Sequence, residues 1–154
     1  MNLKAYNQKI KEAKGKYFRL VLVLSLFAET KTTFLKRASE SLGYPYINLS
    51  LALAGKLVDI PARKRASQVL TLLNGIIRAY NEDVVFLDNI EILFLPELQV
   101  DPLKALQLLS RNKTVVVGWT GEFDGGRLTY ANQGHPEFRR YQGLTEQDCT
   151  ILHV

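Results

Sequence analysis

Residues 18–33 read FRLVLVLSLFAETKTT, and the fold is decided there. Phe18 to Leu26 is a continuous apolar run rich in Val and Leu, the pattern of a strand buried on both faces of a parallel sheet. Helical spacing follows it. Phe34, Leu35, Ala38 and Leu42 share one face of a segment from Lys31 to Leu42, and Gly43 can end it. The alternation continues outward in both directions. Before the strand, residues 2–14 form an amphipathic helix with Leu3, Tyr6, Ile10 and Ala13 on one face, closed by Gly15. After it come a short strand from Tyr46 to Leu49, a long helix from Arg63 to Tyr80 and a buried strand from Val84 to Leu87. A short helix from Leu103 to Leu109 has Asp101 as N-cap and Pro102 in its first turn. A further strand runs from Thr114 to Trp119, and a last one from Cys149 to Val154. Strands and helices alternating at these lengths imply an α/β domain, with a five-stranded, mainly parallel sheet and helices on both faces. The 154 residues fit one domain: helix 1–15, core 20–120, a long loop at 121–141 and a last strand at 149–154, with no length left for a helical lid domain.

The loop after the first strand is where such a sheet binds ligands. Against the phosphate-loop pattern G-x-x-x-x-G-K-[ST], Lys31 and Thr32 stand in place, while Ser25 and Thr30 replace the two glycines. In that pattern the Lys meets the terminal phosphates, the Thr hydroxyl holds Mg²⁺, and glycines let backbone N–H groups wrap the anion. Thr30 in such a loop would be strained by about 1–3 kcal/mol, and Glu29 places a negative charge beside the phosphates. The second signal is VVFLDN at 84–89, four apolar residues followed by Asp88, the pattern of a Walker-B strand whose Asp shares an Mg²⁺ with Thr32. Asn89 follows where a catalytic carboxylate is usual, and an amide cannot take a proton from water. No catalytic residue is therefore assigned. Thr120, ending the strand that follows, is placed as the polar residue found near the γ-phosphate in AAA+-like NTPases. The expected nucleotide-site residues are Lys31, Thr32, Thr33, Asp88 and Thr120, with Thr32 and Asp88 as metal ligands and ATP and Mg²⁺ as the cofactors.

Charge is uneven. Residues 1–19 hold Lys4, Lys9, Lys11, Lys14, Lys16 and Arg19 against Glu12 alone, and account for the whole net charge of +5. Such a segment attracts phosphate backbones, or is simply the solvated face of a helix. Lys9 and Lys11 are its candidate DNA contacts. The single cysteine, Cys149, excludes an intrachain disulfide and reads as core. No apolar run is long enough to span a bilayer, and the opening MNLKAYNQKI is unlike a signal peptide, so the expected location is the cytoplasm. The stretch from Thr120 to Pro136 is Gly-rich and polar, and reads as a loop. Its continuation to Tyr141 carries aromatic and Arg residues, the usual chemistry of interface hot spots. An ordered partner surface including Tyr130, Arg139 and Arg140 is expected.

Several strings together resemble the BrxF family, the small P-loop-containing proteins of type 3 BREX bacteriophage-defence systems: LSLFAETKTTFL, YPYINLSLALA, VVFLDNIEILF, DPLKALQLLSRNKTVVVGW and TGEFDGGRLTYANQGHPEFRRY. The resemblance covers roughly residues 20 to 141. It implies a P-loop NTPase fold and a role in phage exclusion beside an AAA+ ATPase, a DNA methyltransferase and an alkaline-phosphatase-like protein. Three functions follow. The first is an adaptor or nucleotide-binding subunit with a degenerate site, the second a working ATPase, and the third a DNA-binding subunit. A homo-oligomer is compatible with each.

Overall fold

A computed structural model describes residues 2–131 and 138–154. Residues 132–137 of the expected long loop lie outside them. The strands β1 (Leu20–Ser25), β2 (Tyr46–Asn48), β3 (Val84–Asp88), β4 (Thr114–Asp124) and β7 (Thr150–His153) form a parallel sheet in the order β2-β3-β4-β1-β7. Strand alternation divides its side chains between two cores. Leu20, Leu22 and Leu24 of β1 point with Val85, Leu87, Val115 and Val117 toward the helices α3 (Leu49–Leu57), α4 (Ala62–Arg78) and α5 (Pro102–Leu109). Val21 and Val23 point with Phe86 and Val116 toward α1 (Leu3–Ala13) and α2 (Ala28–Leu42). The expected α/β architecture, with a mostly parallel sheet and helices on both faces, is the one observed.

The sheet has seven strands among the described residues rather than five, because the described part of the expected loop at 121–141 is largely strand. The fourth strand does not stop at Trp119. It runs on to Asp124 and turns back as β5 (Arg127–Tyr130), and β5 pairs in turn with β6 (Arg139–Tyr141), both antiparallel. Asp124 faces Arg127, leaving a two-residue turn at Gly125 and Gly126 with φ of 58° and 81°. Two consecutive positive φ values match the right-handed twist of a hairpin, and glycine adopts them without strain. The D-G-G sequence carries this signal, yet loop composition outweighs it in a linear reading.

The helix α3 is a second departure. The expected strand runs to Leu49 with no helix before Arg63, but β2 is only three residues long and LSLALAGKL is helical. Asn48 caps the helix by accepting the N–H of Leu51 at 3.1 Å, which converts strand to helix without a loop. The other expected elements hold to within a few residues. Asp101 caps α5 through the N–H of Lys104, and Gly43 ends α2 at φ 75°.

The basic N-terminal segment covers the sheet and also faces water. Ile10 and Ala13 are buried against the sheet, whereas Lys9 and Lys11 are exposed. Lys16 belongs to the fold: its ammonium donates to the Glu146 carbonyl and the Thr150 hydroxyl, both at 3.0 Å, tying the 145–150 segment to the end of α1. Among the described residues no helix is long and apolar enough to cross a membrane.

Ile10 is 1% exposed, so Ile10→Ala should cost about 2–5 kcal/mol in denaturant unfolding. Lys9→Glu combined with Lys11→Glu should leave the unfolding midpoint nearly unchanged. A large loss from the lysine pair would show that these side chains pack rather than solvate.

Candidate functional site

The carboxyl ends of β1, β3 and β4 meet beneath the start of α2, and the sequence dictates what converges there. Asp88 follows four buried residues of β3 and shares the face of Val84 and Phe86, so its carboxylate points to the α2 side. Lys31 and Thr32 lie in the first two turns of α2. The three expected residues are brought together. The Lys31 ammonium is ion-paired with Asp88 Oδ1, and the Thr32 hydroxyl donates to Oδ2 at 2.6 Å. Lys31 is 1% exposed and Asp88 not at all.

Sequence reasoning missed two members of this cluster. The Tyr46 hydroxyl donates to Asp88 Oδ2 at 2.7 Å from the neighbouring strand β2, whose Tyr46 pairs in register with Phe86. No sequence signal tells which way this tyrosine points. The other is Gly118. A Cβ placed there would stand 2.6 Å from Leu35 Cδ1 and 2.8 Å from both Asp88 Oδ1 and Lys31 Cδ. The missing side chain on β4 is the space through which Lys31 reaches Asp88.

Burial alone would raise the Asp88 pKa. Hydrogen bonds from Lys31, Thr32 and Tyr46, with the Lys31 charge, outweigh it and hold the carboxyl below the usual carboxylate range. The Tyr46 hydroxyl moves the other way. Burial first, then its bond to Asp88 and the charge there, push its pKa upward and keep it a donor.

The backbone around Lys31 departs from a phosphate loop. Only Leu26 and Phe27 separate β1 from α2, and the residues expected to wrap phosphates, Ala28 to Thr30, are helix. Thr30 is therefore not strained as a P-loop would require; the positive-φ residues other than glycine, among those described, are Asn89, Gln99 and Ala131. Ser25, standing where the pattern has glycine, accepts the Phe27 N–H at 3.0 Å and fixes the short turn. Glu29 sits in the first turn of the helix, where a negative charge suits the dipole. A triphosphate with Mg²⁺ does not fit this arrangement. The lysine meant for phosphate is inside, and both presumed metal ligands are already bonded to each other.

Asn89 has a backbone role. It adopts φ 55°, a region Asn tolerates better than most residues, and its carbonyl accepts the Ser50 N–H at 3.0 Å. Glu91 lies beside the Ser50 hydroxyl at 3.5 Å, at the start of α3. The remaining candidates are dispersed. Thr33 is exposed on the outer side of α2, and Thr120 lies within β4, where it pairs with Ser25 at the end of β1. Among the described residues no three His, Cys, Asp or Glu side chains gather as a metal site.

The expected partner residues separate too. Tyr130 is 3% exposed, its ring stacked on Phe94 at 3.7 Å and edge-on to Trp119, so in this conformation it is core rather than surface. Arg139 sits half-buried with its guanidinium 5.9 Å above the other partner of that stack, Phe94, and Arg140 is exposed. Trp119 donates to the Thr129 carbonyl at 2.9 Å. Tyr141 donates to Asp101 at 3.0 Å, joining β6 to the N-terminus of α5, and burial leads the causes that push its hydroxyl up to about 12. Cys149 is buried, and that burial raises its thiol to about 12, which leaves it unreactive at neutral pH. Compared with protein-family models, curated proteins and solved structures, the chain matches none.

Removing Asp88 strands a buried ammonium. Asp88→Ala should cost about 3–5 kcal/mol, and Lys31→Met with Asp88→Leu should cost less than the sum of the single changes in an unfolding cycle. The pH dependence has a definite sign. Because the folded pKa of Asp88 is depressed, its contribution is fully present above the unfolded value of about 3.9 and is lost as pH falls through the lower folded value. Acid titration of stability should therefore fall less steeply below pH ~4 in Asp88→Asn than in the natural chain.

Proposed function

We propose that this chain is a P-loop-NTPase-fold adaptor of a bacterial antiphage system of the BREX type 3 kind, with its nucleotide site closed. The observation that carries the reading is that Lys31 and Thr32, the two groups a phosphate loop would offer to nucleotide and metal, are both bonded to Asp88 inside the protein. The arrangement of strands supports the P-loop plan. The strand that follows Asp88, β4, lies between β3 and β1, so the lysine after β1 and the aspartate ending β3 flank one strand, as an AAA+-like reading expects.

Hydrolysis lacks support in the same residues. Asn89 is engaged through its backbone with Ser50, and Glu91 stands beside Ser50. In an adaptor, the fold carries a partner surface instead of a reaction. The exposed Arg140 and half-exposed Arg139 on β6 offer that surface to the AAA+ ATPase, the methyltransferase or the phosphatase-like protein of the system.

Calorimetric titration of the natural chain with ATP–Mg²⁺ should show no micromolar binding. Micromolar binding abolished by Lys31→Ala would overturn the closed-site reading. In pull-downs of the BREX proteins, Arg139→Ala with Arg140→Ala should lose at least one partner. Retention of every partner by the folded variant would remove the assigned surface.

A further inference from the structure

We propose that the Lys31–Asp88 pair is an autoinhibitory latch, closing a phosphate-binding lysine with the chain's own carboxylate. The inference rests on the closed-site reading above and adds to it that the closure is releasable. Its ligand class is a di- or triphosphate anion, taken up without metal in the first step.

The geometry makes the two states exclusive. The ammonium is bonded to Asp88 Oδ1, while Thr32 and Tyr46 hold Oδ2. A divalent cation directed to Thr32 and Asp88 meets a carboxylate already compensated by one charge and two hydroxyl donors. Metal therefore cannot enter first, and an anion gains the lysine only by taking it from Asp88. The position of Lys31 suits such an exchange. It lies in the opening turn of α2, and its neighbours Thr30 and Thr33 are exposed, so the buried ammonium belongs to the helix end nearest solvent. The Lys31 stem fills the space over Gly118 beside Leu35 and is 1% exposed, so release of the ammonium requires this packing to open.

In this state Asp88 opposes ligand binding, the reverse of a metal-holding Walker-B aspartate, and the two roles predict opposite effects of the same substitution. Metal-free inorganic pyrophosphate is the probe, titrated by calorimetry into the natural chain and into Asp88→Asn. The latch predicts at least tenfold tighter binding in Asp88→Asn, abolished when Lys31→Ala is added. A folded Asp88→Asn that binds no better, or a gain that survives loss of Lys31, overturns it. Gly118→Ala gives a second route, since the added methyl would press on side-chain atoms of Asp88, Lys31 and Leu35 and wedge the pair apart with both charges retained. The same gain is expected there, and a folded Gly118→Ala without it also overturns the latch. Failure of both variants to fold would show that the pair cannot open without losing the fold, which is equally fatal. A failed latch leaves the adaptor reading standing, because that reading is tested by ATP–Mg²⁺ and the natural chain alone.

Discussion

An ammonium and a carboxylate removed from water together constrain everything around them. Taking either ion into the interior alone costs several kcal/mol, so the two must arrive as a bonded pair with their remaining valences filled. Asp88 meets this condition with Lys31, Thr32 and Tyr46, donors from α2 and β2 around a carboxylate on β3. The pair thereby sets how α2 lies on the sheet. It also requires an absent side chain at position 118, because β4 runs directly beneath it. The two-residue connection from Ser25 to Ala28 follows from the same demand, bringing the helix start close enough for Lys31 to turn inward.

The rest of the molecule is ordinary packing of helices on the two faces of the sheet around this charged point, with one addition. The antiparallel strands β5 and β6 fold an aromatic group over the turn after β3. Tyr130 stacks on Phe94, and Trp119 stands edge-on to both. Ring pairs of this kind contribute about 0.5–1.5 kcal/mol each beyond the area they bury. The segment after Asp88, where an NTPase would hold its catalytic carboxylate, is thus fixed from two sides, by Ser50 at the Asn89 carbonyl and by the stacked rings at Phe94.

Much of the fold was legible because its signals are local. The buried runs at β1, β3 and β4, the long apolar stripe of α4 and the Asp-Pro start of α5 each declare themselves within ten or so residues. What stayed hidden depends on contacts between distant residues. LSLALAGKL has no clean period, and Asn48 decides its helix. The strands after Trp119 were concealed by glycines that serve a turn rather than a loop. At the site, residue types were readable and their direction was not. Lys31, Thr32 and Asp88 could be named from spacing, but whether the lysine faces solvent or the aspartate is settled by Gly118 and Tyr46, which carry no motif.

The sheet order has a consequence for how the chain is made. The interior strand β1 is the first strand of this sheet to be synthesised, yet the strands that flank it, β4 and β7, are the last parallel ones to appear. Val21 finds its partners at Val116 and Thr150. Until residue 114 has been synthesised, LVLVLS has no neighbour on either side, although β2 and β3 already have each other. At elongation rates of about 5–20 residues per second this interval lasts several seconds. An uncharged, β-prone hexamer with two open edges is a nucleus for intermolecular pairing. The lysine-rich segment before it places a net charge of +5 beside the waiting strand, and like charges on neighbouring chains repel.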